Sequence, residues 1–210
     1  PNAGISKSNS MHFGIDRFPD NQRRMWTGYL ATVTYMDEQV GRMLSALKEL
    51  GLDKETLVLF TSDHGYLLGE HHFWQKSNLR EEVTRVPLII RSPGMKAGAS
   101  SSIVELVDMF PTACELTGLP IPSSVQGKSL LSIMHNPSIK VRNSALSFVK
   151  QGTSMRSKRW SYMRYTDGSE ELYDMAKDPR QFINLVQSID ASEQISKSRK
   201  AFDLRVQEIR

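Results

Sequence analysis

Leu57-Val58-Leu59-Phe60 is an unbroken apolar run that ends, with no spacer, in Thr61-Ser62-Asp63-His64-Gly65. This junction constrains the fold more than any other stretch. A continuously apolar run reads as a strand covered on both faces, as in a parallel α/β sheet. In open α/β sheets ligands bind beyond the carboxyl ends of strands, and Asp63 and His64 stand just past such an end. Gly65 lets the backbone turn at once, with no side chain in the way. Aspartate offers a hard oxygen and histidine a ring nitrogen, so the pair suits a divalent cation once the chain bends. Lys76, farther along, supplies a compact positive charge that suits a tetrahedral anion. An Asp-His pair alone reads more simply as a turn cap and a packed ring. Here Gly69, Glu70, His71 and Lys76 follow the same strand, and the site reading becomes the better one.

The flanking segments suggest the rest of the architecture. Residues 1–24 are irregular in pattern, with His12 in a loop. From Met25, the residues Leu30, Val33, Val40, Leu44 and Leu47 recur at helical spacing, and Gly51 suits the helix end. Asp37 shares that stripe, either as a buried bonded acid or at an edge reaching solvent. Val86 to Ile90 reads as a second strand starting at Pro87. A helix is expected from Glu105 to Thr117, interrupted by Pro111, and a short one from Lys128 to His135. Ala145 to Asp174 then breaks into short segments that fit a small antiparallel sheet. Ala191 to Arg210 reads as a closing helix with Ile195, Phe202, Val206 and Ile209 on one side. The expected fold class is therefore α/β, with a boundary near residue 140. Residues 1–140 would form part of a mixed, mainly parallel sheet flanked by helices. Residues 141–210 would form the antiparallel sheet and its helix.

Composition excludes little beyond extremes. The 210 residues are 39% hydrophobic and 24% charged, an ordinary globular balance. No apolar run reaches membrane-spanning length. The lone cysteine, Cys114, excludes an internal disulfide and reads as a small core side chain. The net charge is +4, and Lys140, Arg142, Lys150, Arg156, Lys158, Arg159 and Arg164 follow one another with no acidic residue between them. Such a tract either attracts a polyanion or forms a solvated face. Trp160 and Tyr162 within it either stack on sugar rings or belong to the core. Nucleic acid is not expected as a partner.

Thr61-Ser62-Asp63-His64-Gly65, Leu68-Gly69-Glu70-His71, Lys76 and Arg85-Val86-Pro87-Leu88-Ile89 together resemble the C-terminal half of a type I, formylglycine-dependent sulfatase, with most likeness to the iduronate-2-sulfatase group. Weaker matches extend back through Tyr35-Met36-Asp37. They extend forward through Val107 to Thr112, Gly127-Lys128-Ser129-Leu130 and Glu171-Leu172-Tyr173-Asp174. The resemblance implies an alkaline-phosphatase-like fold and a sulfuric ester hydrolase of sulfated sugars, small or polymeric. It implies that Asp63 and His64 ligate a divalent cation, calcium in the nearest relatives. Lys76 would bind the sulfate oxygens, with His71 and Trp74 lining the substrate side. Localisation would be periplasmic, secreted or lysosomal.

Two departures from the family pattern stand out. Many relatives carry Asn where this chain has His64, and a nitrogen ligand would equally suit Zn²⁺ or Mn²⁺, with Mg²⁺ also open. No C-x-P-S-R-like nucleophile motif occurs, nor do the paired acids and the substrate-binding His of the family's N-terminal half. These would lie in an N-terminal part of the same enzyme. A phosphodiesterase or phosphonate monoester hydrolase with the same Asp-His-Gly block, and a non-catalytic fragment, are the alternatives.

Overall fold

The computed structural model describes residues 19–209, so His12 and the stretch before Pro19 lie outside the described residues. Contacts divide the chain into two bodies that interleave in sequence. One runs to Lys76 and takes up Arg85–Met95, and the other holds Ser77–Thr84 and everything from Lys96 onward.

The first body begins with helix α1 (Pro19–Glu49). It starts before Met25 because Pro19 occupies the first helical position, where its missing N–H is not needed. Asp20 follows in the first turn, where a negative charge is favoured. Gly51, at φ 69°, closes the helix in the left-handed region, as the sequence suggests. The apolar stripe is helical but no residue of α1 is buried. Leu30, Val33 and Leu44 are exposed together with Asp37, which therefore reaches solvent. Strand β1 (Val58–Thr61) pairs with β4 (Leu88–Arg91), with Thr61 opposite Leu88. This pairing is antiparallel, and β1 is half-buried along its length rather than covered on both faces. The apolar run thus marks a strand correctly but not its parallel neighbour, because composition encodes burial and not direction. Between these strands, β2 (Leu67–Leu68) and β3 (Trp74–Gln75) form a two-rung antiparallel hairpin.

The second body is built on a four-stranded meander. Its strands are β5 (Ser144–Val149), β6 (Gly152–Ser157), β7 (Trp160–Tyr165) and β8 (Glu170–Asp174). Alternation sends successive side chains to opposite faces. Met163, Tyr165 and Tyr173 meet Leu79 and Met175 on one face. Met155, Tyr162 and Leu172 meet Ile195 and Phe202 on the other. The second face is covered by the closing helix α5 (Ser192–Gln207), where Tyr162 and Phe202 touch edge to face at 5.3 Å. The first face is covered by the segment around Leu79, which leads into the one-turn helix α2 (Glu81–Thr84).

Helix α3 (Met109–Leu116) runs through Pro111 without interruption. Pro111 is its third residue, where backbone N–H groups have no intrahelical acceptor, so proline removes nothing. Cys114 is buried in α3, as expected. Helix α4 (Leu131–His135) follows, three residues shorter at its start than the sequence suggests. The preceding Gly127-Lys128-Ser129-Leu130 instead clasps the start of α3. A Cβ on Gly127 would lie 2.0 Å from the Val107 carbonyl oxygen, so only glycine permits the approach. Lys128 N donates to Asp108 Oδ1 at 2.8 Å and Leu130 N to Thr112 Oγ1 at 2.9 Å. Asp108 is fully buried and also accepts from Arg142 and from Glu105 N.

Candidate metal and anion site

The turn after β1 aims its side chains by local hydrogen bonds. Ser62 Oγ donates to the His64 carbonyl at 2.7 Å, and His64 N donates to Asp63 Oδ1 at 3.0 Å. His64 Nδ1 lies 2.8 Å from the Gly65 carbonyl oxygen. That oxygen can only accept, so Nδ1 carries a proton, and in the neutral imidazole Nε2 is then the nitrogen with a lone pair. Nε2 is 3.6 Å from Asp63 Oδ2, and the Asp63 side chain is 85% exposed. A carboxylate oxygen and an imidazole nitrogen thus stand side by side, open to solvent. Backbone bonds orienting the ring are the arrangement that metal-ligating histidines use. The donor set fits a divalent cation. Among the described residues no three His, Cys, Asp or Glu side chains gather into a ligand group, so these two would be part of a set.

The β2–β3 hairpin carries the remaining candidates. Leu67 faces Gln75 and Leu68 faces Trp74, so the chain doubles back and Lys76 emerges at the end where Asp63–Gly65 enters. Lys76 is exposed. The connecting loop is held by Gly69 N to Phe73 O at 2.9 Å and by Leu68 N to a Glu70 carboxylate oxygen at 2.6 Å. Glu70 is therefore a loop-closing acceptor. His71 and His72 take φ 54° and 62°, with Gln75 at 74°. Left-handed backbone at non-glycine residues costs about 1 kcal/mol or more each and clusters at functional sites. His71 is half-buried in this strained loop, beside the exposed His72. Trp74, expected on the substrate side, is instead 2% exposed and packs with Leu68, Met25, Tyr29 and Tyr66. Its ring lies 3.3 Å from where a Gly69 Cβ would stand, and Gly69 itself sits at φ 110°, a backbone conformation that favours glycine. The indole is the centre of the hairpin's core among the described residues.

The basic tract is largely neutralised. Arg142 bonds to Asp108 and Glu105, Arg156 to Glu81, Arg159 to Asp174, and Arg164 to Glu170 and Asp203. The acids come from other elements, which the local sequence does not reveal. Lys140, Lys150 and Lys158 are exposed. Tyr162 is fully buried, so it belongs to the core, while Trp160 is half-buried beneath the Arg159 guanidinium at 4.9 Å.

Two family models match the chain. One is the sulfatase model over residues 6–119. The other is described as N-sulphoglucosamine sulphohydrolase, C-terminal, over residues 69–207. N-acetylglucosamine-6-O-sulfatase of Bacteroides thetaiotaomicron is 36% identical over 173 residues, 75% of this chain and 31% of that protein. A protein solved with its substrate D-glucosamine-2-N,6-O-disulfate superposes with a TM-score of 0.84 at 30% identity, covering 90% of this chain and 42% of that one. Phosphonate monoester hydrolase of Agrobacterium radiobacter superposes at 0.71 and 28% identity, covering 82% and 39%. The chain spans about a third of the length of the curated relatives it matches. The structural neighbours share the alkaline-phosphatase-like architecture, the wider α/β fold that the sequence suggests. With the sulfatase model covering more than half its residues, this chain belongs to the sulfatase family.

Proposed function

We propose that the chain is the C-terminal portion of a sulfuric ester hydrolase that acts on a sulfated sugar. The observation that carries this reading is the paired Asp63 carboxylate and His64 Nε2 at the end of β1, with Lys76 returned toward them by the hairpin. Asp63 and His64 would hold the divalent cation, calcium by resemblance, with Mg²⁺, Mn²⁺ or Zn²⁺ also compatible with the pair. Bound there, the cation supplies Lewis-acid polarisation of the ester's oxygens. The Gly65 carbonyl fixes the His64 ring so that no reorientation is needed when a ligand arrives. The Lys76 ammonium holds the anionic group and offsets charge as the ester bond breaks. His71, in the strained loop, would face the substrate.

The nucleophile, a formylglycine in the family, lies outside this chain, in an N-terminal part that completes the site. Relatives named for N-acetylglucosamine-6-O-sulfate and solved with a glucosamine disulfate support an amino-sugar sulfate as substrate. The finer likeness to the iduronate-2-sulfatase group rests on the Thr61–Lys76 block and its flanks. The phosphonate monoester hydrolase neighbour favours a second reading, phosphonate or phosphodiester hydrolysis at the same groups. Rates of the complete enzyme on a glucosamine sulfate and on an aryl phosphonate monoester separate the two. Under the first reading the sulfate is preferred, and Lys76→Ala lowers its kcat about 10²-fold with metal retained. Preference for the phosphonate, or full activity in Lys76→Ala, contradicts it.

A further inference from the structure

We propose that a charge-balanced groove between the meander and the end of α5 is a further binding site, suited to a neutral sugar unit. Its volume is about 460 Å³, within the usual range of small-ligand sites. Thr153, Arg164 and Thr166 line it from the sheet side, and Asp203, Val206 and Gln207 from α5. All of these residues belong to the sheet body.

Strand register explains the groove. Thr153 is paired with Phe148 on one side and with Arg164 on the other, so the three side chains form a row on one face of the sheet. Two residues along on the same face, Met155 and Tyr162 pack with Ile195 and Phe202 of α5. The row of Thr153 lies past that apolar seam, where the last turns of α5 bring Asp203 and Gln207 instead. Thr153 and Arg164 are consequently only half-buried, and Phe148 is 56% exposed.

The charges of the groove are already matched. Arg164 Nη1 donates to Asp203 Oδ1 at 2.6 Å, Arg164 Nε stands 3.4 Å from Glu170, and Arg199 Nε donates to Glu170 at 2.9 Å. The guanidinium groups of Arg164 and Arg199 thus balance the carboxylates of Glu170 and Asp203, and an ionic ligand finds no uncompensated opposite charge. What remains is directional. Among the described residues, Arg164 Nη2, Asp203 Oδ2, the Thr153 and Thr166 hydroxyls and the Gln207 side-chain amide make no hydrogen bond. A guanidinium edge beside a carboxylate oxygen matches neighbouring hydroxyls of a sugar ring, one accepting and the other donating. The guanidinium is held in place over the Phe202 ring, 4.7 Å from its centre. Phe148, in the same row, presents an aromatic face to the apolar C–H face of such a ring. The choice of a sugar among neutral polyhydroxylated ligands rests on the reading that the parent enzyme acts on sulfated sugars.

Calorimetric titration of the complete enzyme with N,N′,N″-triacetylchitotriose, a neutral oligosaccharide, tests the proposal without any catalytic step. Binding is expected in wild type and unchanged in Lys76→Ala, and about fivefold or more weaker in Phe148→Ala and in Gln207→Ala. Phe148 and Gln207 are both exposed, so neither variant removes a core side chain. No binding at millimolar sugar overturns the proposal, as does binding that either groove variant leaves unchanged. Binding lost in Lys76→Ala means that the sugar sits at the anion site, and overturns it as well. If the enzyme prefers the phosphonate in catalysis while the groove still binds the sugar with the expected pattern, the reading of the anion site fails and the groove stands.

Discussion

Asp108 and Asp63 are both aspartates in matched blocks, yet their surroundings are opposite. Asp63 turns an exposed carboxylate outward beside His64. Asp108 is fully buried, and its oxygens are taken up by Arg142, Glu105 N and Lys128 N. The first arrangement leaves acceptor capacity for a cation and the second leaves little. Removing Asp108 deprives the Arg142 guanidinium, whose side chain is 4% exposed, of one of its two acids, with Glu105 left at 3.2 Å from Nε. Losing one partner of a buried ion pair costs about 3–5 kcal/mol. Asp108→Ala is therefore expected to lower the unfolding free energy extracted from urea titration by that amount, and a change under about 1 kcal/mol contradicts the assignment. Asp63→Ala, by the same reasoning, leaves stability nearly unchanged. The sequence shows both aspartates in blocks of family resemblance but cannot rank them, because the distinguishing partner, Arg142, lies 34 residues away.

At the scale of elements, patterning made several segments legible. The meander, the closing helix and the cap at Gly51 follow from period and turn chemistry, which are local. The misreadings have non-local causes. Local sequence places Trp74 on the substrate side, whereas the α1 residues Met25 and Tyr29, distant in sequence, pack with it. Pro111 looked like a break because the true start of α3 depends on the clasp by Gly127 and Lys128. The joint between the β7–β8 pair and α5 is ionic and equally invisible in sequence. Glu170 receives bonds from Arg199 and from the Tyr162 hydroxyl, with Arg164 nearby. Burial alone would raise the Glu170 pKa, but Arg199, Tyr162 and Arg164 together hold it below the usual carboxylate range. Burial and Glu170 push the Tyr162 hydroxyl up to about 12, so it stays a donor at neutral pH. A depressed carboxylate stabilises the fold above its unfolded value and loses that contribution as pH falls through the folded value. Glu170→Gln should therefore lower stability at pH 7 by about 1–2 kcal/mol. The gap from wild type should close in thermal melts as pH falls below the ordinary glutamate range and through the depressed folded value. A gap that is constant over that range contradicts the ionic joint.

At the scale of the whole molecule, the two bodies divide the work. One carries the strand end and hairpin with Asp63, His64 and Lys76. The other buries its core on both faces of the meander and takes up the stretch just after Lys76. The sequence marks the boundary near residue 140, where composition changes, while contacts also draw Ser77–Thr84 and Lys96 onward into the sheet body. Helix α1 presents Leu30, Val33, Tyr35, Met36, Met43 and Leu44 uncovered among the described residues. Among those residues no helix is long and apolar enough to cross a membrane. The chain spans about a third of the length of the curated relatives it matches, and under the proposed reading Asp63, His64 and Lys76 would be its contribution to the site. The central claim is that the end of β1 is a metal site serving an anionic ester. It is tested most directly by the activity of the complete enzyme as a function of free divalent cation, after chelation, for wild type and Asp63→Ala. The account predicts that chelation abolishes sulfate release, that added cation restores it, and that Asp63→Ala needs at least about tenfold more cation for half-activity. The same cation dependence in both proteins would contradict it.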